Sequence, residues 1–128
     1  MKFNHTAHKG MWTWLAENPK MDKDDWPGWE WNGGIYGHVD FYCFACKYAI
    51  VKLREEKFPG FYDVDIAEDR CSRCPLIWPN NASYLTDLYC SGHKGLYSLW
   101  ARDTSLDFRS KIAFQIANLP VKEGVKTE

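Results

Sequence analysis

The sequence predicts a small domain of the α+β class that is mainly helical. Its length of 128 residues lies within the range of one domain, and no stretch rich in proline, glycine or serine separates two halves. Several stretches have apolar residues at helical spacing, and one shorter stretch alternates apolar and acidic residues as an edge strand does. We therefore expect a single domain over residues 1–128.

The first predicted element is a helix over residues 6–17. Thr6 or Asn4 is placed to act as its N-cap, and Asn18-Pro19 ends it. Its apolar face is predicted to consist of His8, Met11, Trp12 and Leu15.

An aromatic-rich loop follows over residues 20–37 and has neither helical nor strand period. Its tryptophans either pack over the cysteine-containing segments as core or lie at the surface as anchors for a protein partner, and the two arrangements can coexist. Neighbouring carboxylates would steer such a surface toward a basic partner. The partner-binding candidates are Trp26, Trp29, Trp31, Asp24 and Asp25.

The middle of the chain is predicted to contain two further helices and short extended segments. Residues 41–57 have helical spacing, and residues 95–102 are predicted to form a brief helix. Residues 61–69 alternate as a short edge strand, whereas residues 85–89 fit either a strand or a helical turn.

The clearest amphipathic helix begins after Thr104, which is a good N-cap with Asp107 at the third helical position. Asn118 and Pro120 end this helix. The residues after it, 121–128, form a polar tail that we expect to be frayed. The apolar face of the helix is predicted to consist of Phe108, Ile112, Ile116 and Leu119.

Four cysteines form two Cys-x-x-Cys units that are separated by 24 residues. A two-residue gap lets one turn present two sulfurs at about 2.3 Å to the same zinc ion, and two such turns complete a tetrahedron. The predicted ligands are Cys43, Cys46, Cys71 and Cys74. The predicted fold is therefore an α+β, mainly helical small domain organised around a structural zinc site of the cysteine type.

The fifth cysteine leaves the ligand set open. Cys90-Ser-Gly-His93 repeats the two-residue gap, so Cys90 either replaces one of the other sulfurs or is a buried small hydrophobe, and His93 is a further alternative. Arg73, inside the second unit, is placed to soften the negative charge of a four-thiolate centre. A thioredoxin-like redox motif would need a βαβ context that the sequence lacks, and a disulfide framework would need secretion.

The composition narrows the range of partners. The formal net charge is −1, so no basic field collects phosphates and direct nucleic-acid binding is not expected. Aromatic residues make up 16% of the chain, which fits a compact core, a protein-binding face, or both. No stretch is apolar for long enough to predict a secretory signal or a membrane span, so we expect a cytoplasmic protein whose thiols stay reduced.

No catalytic motif accompanies the cysteines: the sequence contains no His-Glu-x-x-His, no nucleophile elbow and no glycine-rich phosphate loop. A catalytic zinc keeps one position open for water, whereas four thiolates close the shell. We therefore expect a structural ion and no enzymatic activity. The alternatives are a zinc-ribbon-like nucleic-acid or transcription adaptor of a phage, and a metallo-nuclease.

Five phrases of the sequence, spread between residues 12 and 123, are WTWLAENPKMDKDDWPGW, CFAC, CSRCPLIWP, GLYSLW and IAFQIANLPVKE. They resemble a group of small cysteine-rich, zinc-binding proteins encoded by phages and prophages of Gram-positive bacteria, and the chain is similar to the type II-A anti-CRISPR proteins, which inhibit Cas9. This resemblance implies a counter-defence protein in the cytoplasm of the infected bacterial host. Its implied partner is Cas9, at the recognition lobe, or another host defence protein, and its implied effect is to hinder the loading of target DNA.

Overall fold

The computed structural model describes residues 2–32, 44–56, 73–78, 96–102 and 105–128. This part of the chain is mainly helical, as predicted. Its α-helices are α1 (His5–Glu17), α2 (Phe44–Glu56), α3 (Leu96–Arg102) and α4 (Leu106–Ala117), and two 3-10 helices, Lys23–Asp25 and Pro27–Trp31, follow α1.

Extended structure in the described ranges is limited to two isolated bridges, Phe3 with Thr127 and Leu76 with Val121, and no strand is formed there. The predicted edge strand over 61–69 and the undecided segment 85–89 lie outside the described residues. The helical part of the α+β prediction is therefore confirmed, and its strands stay a prediction.

Helix α1 begins where the side chain of Asn4 accepts a hydrogen bond from the Ala7 amide at 3.1 Å. Asn4, rather than Thr6, is therefore the N-cap. The helix ends at Asn18, whose backbone and side-chain N–H groups both donate to the Trp14 carbonyl, at 2.9 Å each. All four residues of the predicted apolar face are buried: His8, Met11, Trp12 and Leu15.

The core of the described part forms where α4 packs along α1. The buried residues of α4 are Ile112, Ala113, Ile116 and Ala117. Between the helices, Ser110 Oγ donates to the Ala16 carbonyl at 2.6 Å. Trp12 packs edge-on against Trp100 of α3, with ring centroids 5.0 Å apart, so α3 closes this side of the core.

The first turn of α4 differs from the prediction in two respects. Ser105, not Thr104, is the N-cap, since its Oγ accepts from the Phe108 amide at 3.4 Å. Phe108, predicted to lie on the apolar face, is 38% exposed. Each residue of a helix is rotated by about 100° from the one before it, and this places Arg109, not Phe108, at the centre of the buried face of α4.

Arg109 fills that inward position with polar contacts. Its Nη1 donates to the Pro19 carbonyl at 2.6 Å, and its Nε donates to the Trp100 carbonyl at 3.1 Å. The guanidinium also lies 4.5 Å from the centroid of the Trp100 ring. One side chain of α4 thus binds the segment after α1 and the end of α3.

The C-terminal residues 121–128, expected to fray, are held by backbone hydrogen bonds on both sides. Lys122 N–H donates to the Pro75 carbonyl at 2.7 Å. At the other end of the tail, Phe3 N–H donates to the Lys126 carbonyl at 2.8 Å, and the Phe3 carbonyl accepts from Glu128 N–H at 3.0 Å. Gly124, with a φ of 85°, allows the turn between these two contacts. Because these partners are distant in sequence, no local pattern indicates that the tail is ordered.

Candidate metal centre

One cysteine of each Cys-x-x-Cys unit lies in the described part of the chain. These are Cys46 and Cys74, and both are buried. The other candidate ligands lie outside the described residues, so their coordination stays a prediction. They are Cys43, Cys71, Cys90 and the alternative His93.

Cys46 is the third residue of α2 and so belongs to its first turn. The first turn of a helix has unpaired N–H groups and the positive end of the helix dipole. A helix start therefore suits a thiolate, which is the form that binds a metal ion. Phe44 and Ala45 are buried with Cys46, so this end of α2 faces the core.

Cys74 lies in a segment that is tied to the C-terminal tail. The Pro75 carbonyl accepts from Lys122 N–H, and Ile77 N–H donates to the Pro120 carbonyl just before the tail. Leu76, between Pro75 and Ile77, is fully buried. The sulfur of Cys74 accepts a hydrogen bond from the indole Nε1–H of Trp78, with an N···S distance of 3.3 Å. A donor aimed at a buried sulfur stabilises negative charge on it, which suits a ligating thiolate.

The two sulfurs are contributed to the same buried cluster from separate parts of the chain, and Cys46 and Cys74 are not joined to each other by a disulfide. Within the described ranges, no group of three or more His, Cys, Asp and Glu residues is assembled. The burial of Cys46 and Cys74 in one cluster agrees with their predicted role as two of the zinc ligands, and the four-sulfur site itself stays a prediction.

Arg73, which was predicted to soften the negative charge of the thiolates, forms an ion pair with Glu56 of α2, and its effect on the sulfurs stays a prediction. Its Nη2 lies 2.8 Å from Glu56 Oε2, and its Nε donates to the same oxygen at 2.9 Å. The carboxylate therefore compensates the guanidinium charge. The ion pair connects the second cysteine unit to the last residue of α2. Its stabilising effect is small, because both side chains are partly exposed to solvent.

An open cavity of about 380 Å³ lies against Cys74, between α2 and the C-terminal tail. Tyr48, Lys52 and Lys122 contribute to its wall. The cavity is open to solvent and borders the segment that carries Cys74.

The tryptophan loop, which is the described part of the aromatic-rich loop (residues 20–32), contains both core and surface residues. Trp26 and Trp29 are buried and pack on Phe44 at the start of α2, with ring centroids 5.8 and 5.2 Å away. Gly28 belongs to this packing, because a Cβ there would collide with the Trp26 ring. Trp31 is 76% exposed. Two of the three tryptophans named as partner-binding candidates are thus core residues that support the helix carrying Cys46.

The surface candidates that remain in the loop are Trp31, Asp24 and Asp25, all exposed. Trp78, the donor to Cys74, was not singled out from the sequence. The only signal for it is its position four residues after Cys74, in the phrase CSRCPLIWP.

No protein-family model matches the chain, and no curated protein or solved structure matches it significantly. No helix in the described part of the chain is long and apolar enough to cross a membrane. Chemically, four thiolates around zinc would close the coordination shell and leave no position for a reacting water. A zinc ion bound in that way would cross-link segments of the chain.

Proposed function

We propose that the chain is a phage-encoded counter-defence protein of the type II-A anti-CRISPR kind, which binds Cas9 at its recognition lobe and hinders the loading of target DNA. Zinc has a purely structural role in this proposal. The proposal is supported by the resemblance of the sequence phrases and by the exposed ring of Trp31.

The exposed Trp31 ring is the observation that carries the proposal. Trp31 ends the 3-10 helix Pro27–Trp31, and the next residue, Asn32, secures this helix by donating from its side chain to the Gly28 carbonyl at 2.7 Å. Asn4, the N-cap of α1, donates to the Asn32 side chain at 3.2 Å. A large apolar ring held at the surface by an ordered support loses little conformational entropy on binding, which is typical of an interface hot spot.

The charges around this ring favour a basic protein partner. Residues 20–32 contain four acidic side chains and two lysines, and Asp24, Asp25 and Glu30 are exposed. Cas9 holds nucleic acid in a positively charged channel, so an acidic surface with an aromatic anchor is complementary to it. The same acidic surface weighs against the alternative of a nucleic-acid adaptor, which would need a basic stripe.

The zinc centre serves this surface indirectly. When bound, zinc would cross-link the start of α2 to the segment around Cys74. Trp26 and Trp29 rest on Phe44 at that same end of α2. Loss of the cross-link is therefore expected to loosen the support of the tryptophan loop.

The test combines a pull-down of the chain with purified Cas9 and a Cas9 DNA-cleavage assay. The wild-type chain is expected to bind Cas9 and to slow cleavage. Trp31→Ala is expected to weaken binding by about 2 kcal/mol or more, roughly 30-fold, as truncation of a hot-spot residue does. Phe114→Ala is the matched control, since it removes an aromatic ring that is 58% exposed on α4.

Uninhibited cleavage at a large molar excess of the chain would rule out Cas9 as the target. Equal losses in Trp31→Ala and Phe114→Ala would rule out the Trp31 surface as the binding face.

A further inference from the structure

We propose that Trp78 is a positioning residue of the metal centre, whose indole N–H holds the Cys74 sulfur and stabilises its ligating thiolate. This inference rests on the zinc site of the proposed function. It adds to that site a residue outside the Cys-x-x-Cys units, Trp78, which contributes to the stability of the site.

The contact between the two side chains is specific. Trp78 Nε1 lies 3.3 Å from Cys74 Sγ, within the range for a hydrogen bond to sulfur, and both residues are buried. An indole N–H can only donate, so the sulfur must be the acceptor. A thiolate is a much better acceptor than a thiol, because a hydrogen bond to an ionised group is stronger than one between neutral groups.

Two other tryptophans show that this contact is not a general property of buried indoles in the protein. The Nε1 atoms of Trp12 and Trp100 are also buried, and neither has a hydrogen-bond partner in the described part of the chain. Of these three buried rings, Trp78 is the one that directs its N–H at a candidate metal ligand.

The charge of the centre explains why such a donor matters. Four thiolates around one Zn²⁺ leave a net charge of −2, and burial makes that charge costly. Arg73, the nearest cationic residue in sequence, is paired with Glu56. The Trp78 N–H is directed at the Cys74 sulfur and compensates its charge, in the way that outer-shell donors orient and tune metal ligands.

The surroundings of Trp78 also hold the backbone that carries Cys74. Leu76 between the two residues is fully buried and bridges to Val121, and Ile77 N–H donates to the Pro120 carbonyl at 2.8 Å. The backbone from Cys74 to Trp78 is thus anchored on the C-terminal tail. Holding a ligand in its binding orientation before the ion arrives raises affinity by lowering the ordering cost.

The test compares Trp78→Phe with Trp12→Phe in the full chain. Both variants replace a buried indole by a smaller ring, but only the first removes a hydrogen bond to sulfur. Zinc affinity is measured by competition with a chromophoric chelator. We expect Trp78→Phe to bind zinc about tenfold or more weakly than Trp12→Phe, the range seen when an outer-shell partner is removed.

A second measurement needs no variant. The native chain is loaded with ¹¹³Cd, which replaces zinc among thiolates, and a spectrum filtered for coupling between cadmium and protons is recorded. We expect one indole N–H, that of Trp78, to show coupling transmitted through the N–H···S bond.

Zinc affinities of Trp78→Phe and Trp12→Phe within twofold of each other, with no indole coupling to ¹¹³Cd in the native chain, would overturn the inference and leave the zinc site intact. A native chain that binds no zinc would instead contradict the proposed zinc site, and this inference would fall with it.

Discussion

At the scale of single residues, His8 is the buried group whose ionisation matters most. Its ring is fully buried, its Nε2–H donates to the Ile116 carbonyl at 2.8 Å, and its Nδ1 is buried without a partner. Burial lowers the pKa of His8 to about 4, and the positive charges of His5 and Lys9 act in the same direction. His8 is therefore a neutral core residue in the folded protein at neutral pH.

The lowered pKa predicts acid destabilisation over a defined window. Between pH 6.5 and about 4 the unfolded chain binds a proton at His8 that the folded chain does not, so the free energy of unfolding falls as the pH falls through this range. When the pH is below both the unfolded-state pKa of 6.5 and the folded-state pKa of about 4, His8 has lowered the free energy of unfolding by about 3 kcal/mol. His5, whose pKa is also lowered by burial, adds to the same trend.

His8→Gln is the variant that tests this assignment, because glutamine keeps a donor for the Ile116 carbonyl and has no proton to gain. Urea unfolding at pH 7 and at pH 4.5 should show a smaller loss of stability in His8→Gln than in the native chain. Metal release in acid affects both proteins alike, so the difference between them isolates His8. An equal loss in both would contradict the assignment.

The sequence predicted the burial of individual residues correctly where apolar side chains recur at helical spacing. The spacing of His8, Met11, Trp12 and Leu15 correctly indicated a buried face, because apolar periodicity reports burial directly. Arg109 was missed because a charged side chain on a helix is expected to face solvent, and its partners, the carbonyls of Pro19 and Trp100, come together only in the fold.

At the scale of elements, the start of α4 provides the clearest prediction. Ser105 Oγ caps the helix through the Phe108 amide, whereas the sequence pattern favoured Thr104. We expect Ser105→Ala to lower the free energy of unfolding by about 1 kcal/mol, the usual cost of losing an N-cap, and Thr104→Ala to change it by much less. Chemical denaturation of both variants provides the measurement, and a larger loss in Thr104→Ala would place the cap one residue earlier.

Helices were predicted well, and their surroundings less well. Residues 41–57 and 95–102 were predicted as helices, and α2 and α3 begin and end within three residues of those limits. The tail over 121–128 was misjudged because its order depends on Pro75 and Phe3, which no local pattern links to it. The period of the apolar residues indicates which face of a helix is buried. It does not indicate which distant segments form hydrogen bonds with each other, because those contacts exist only in the folded chain.

At the scale of the whole molecule, the described helices form a buried core, and a metal cross-link of that core stays a prediction. The spacing of the cysteines identified the candidate ligands, since ligand type and gap are written in the sequence. Whether a tryptophan of the loop is core or surface was left open, because Trp26, Trp29 and Trp31 are chemically alike. Contact with Phe44 makes the first two core residues, and Trp31 lies beyond that contact.

The importance of zinc for stability follows from comparing the free energy of zinc binding with the net stability of a folded domain. Binding of a structural zinc ion contributes on the order of 10 kcal/mol or more at neutral pH, whereas the net stability of a domain is about 5–15 kcal/mol. Removal of the ion is therefore expected to unfold much of the chain, with Cys46→Ser giving the same result as chelation.

Elemental analysis of the purified full chain, with circular dichroism before and after addition of a chelator, tests the central claim most directly. The account predicts one zinc ion per chain and loss of the folded signal when the ion is removed. A chain that is metal-free yet cooperatively folded, or whose cysteines are joined in disulfides, would contradict it.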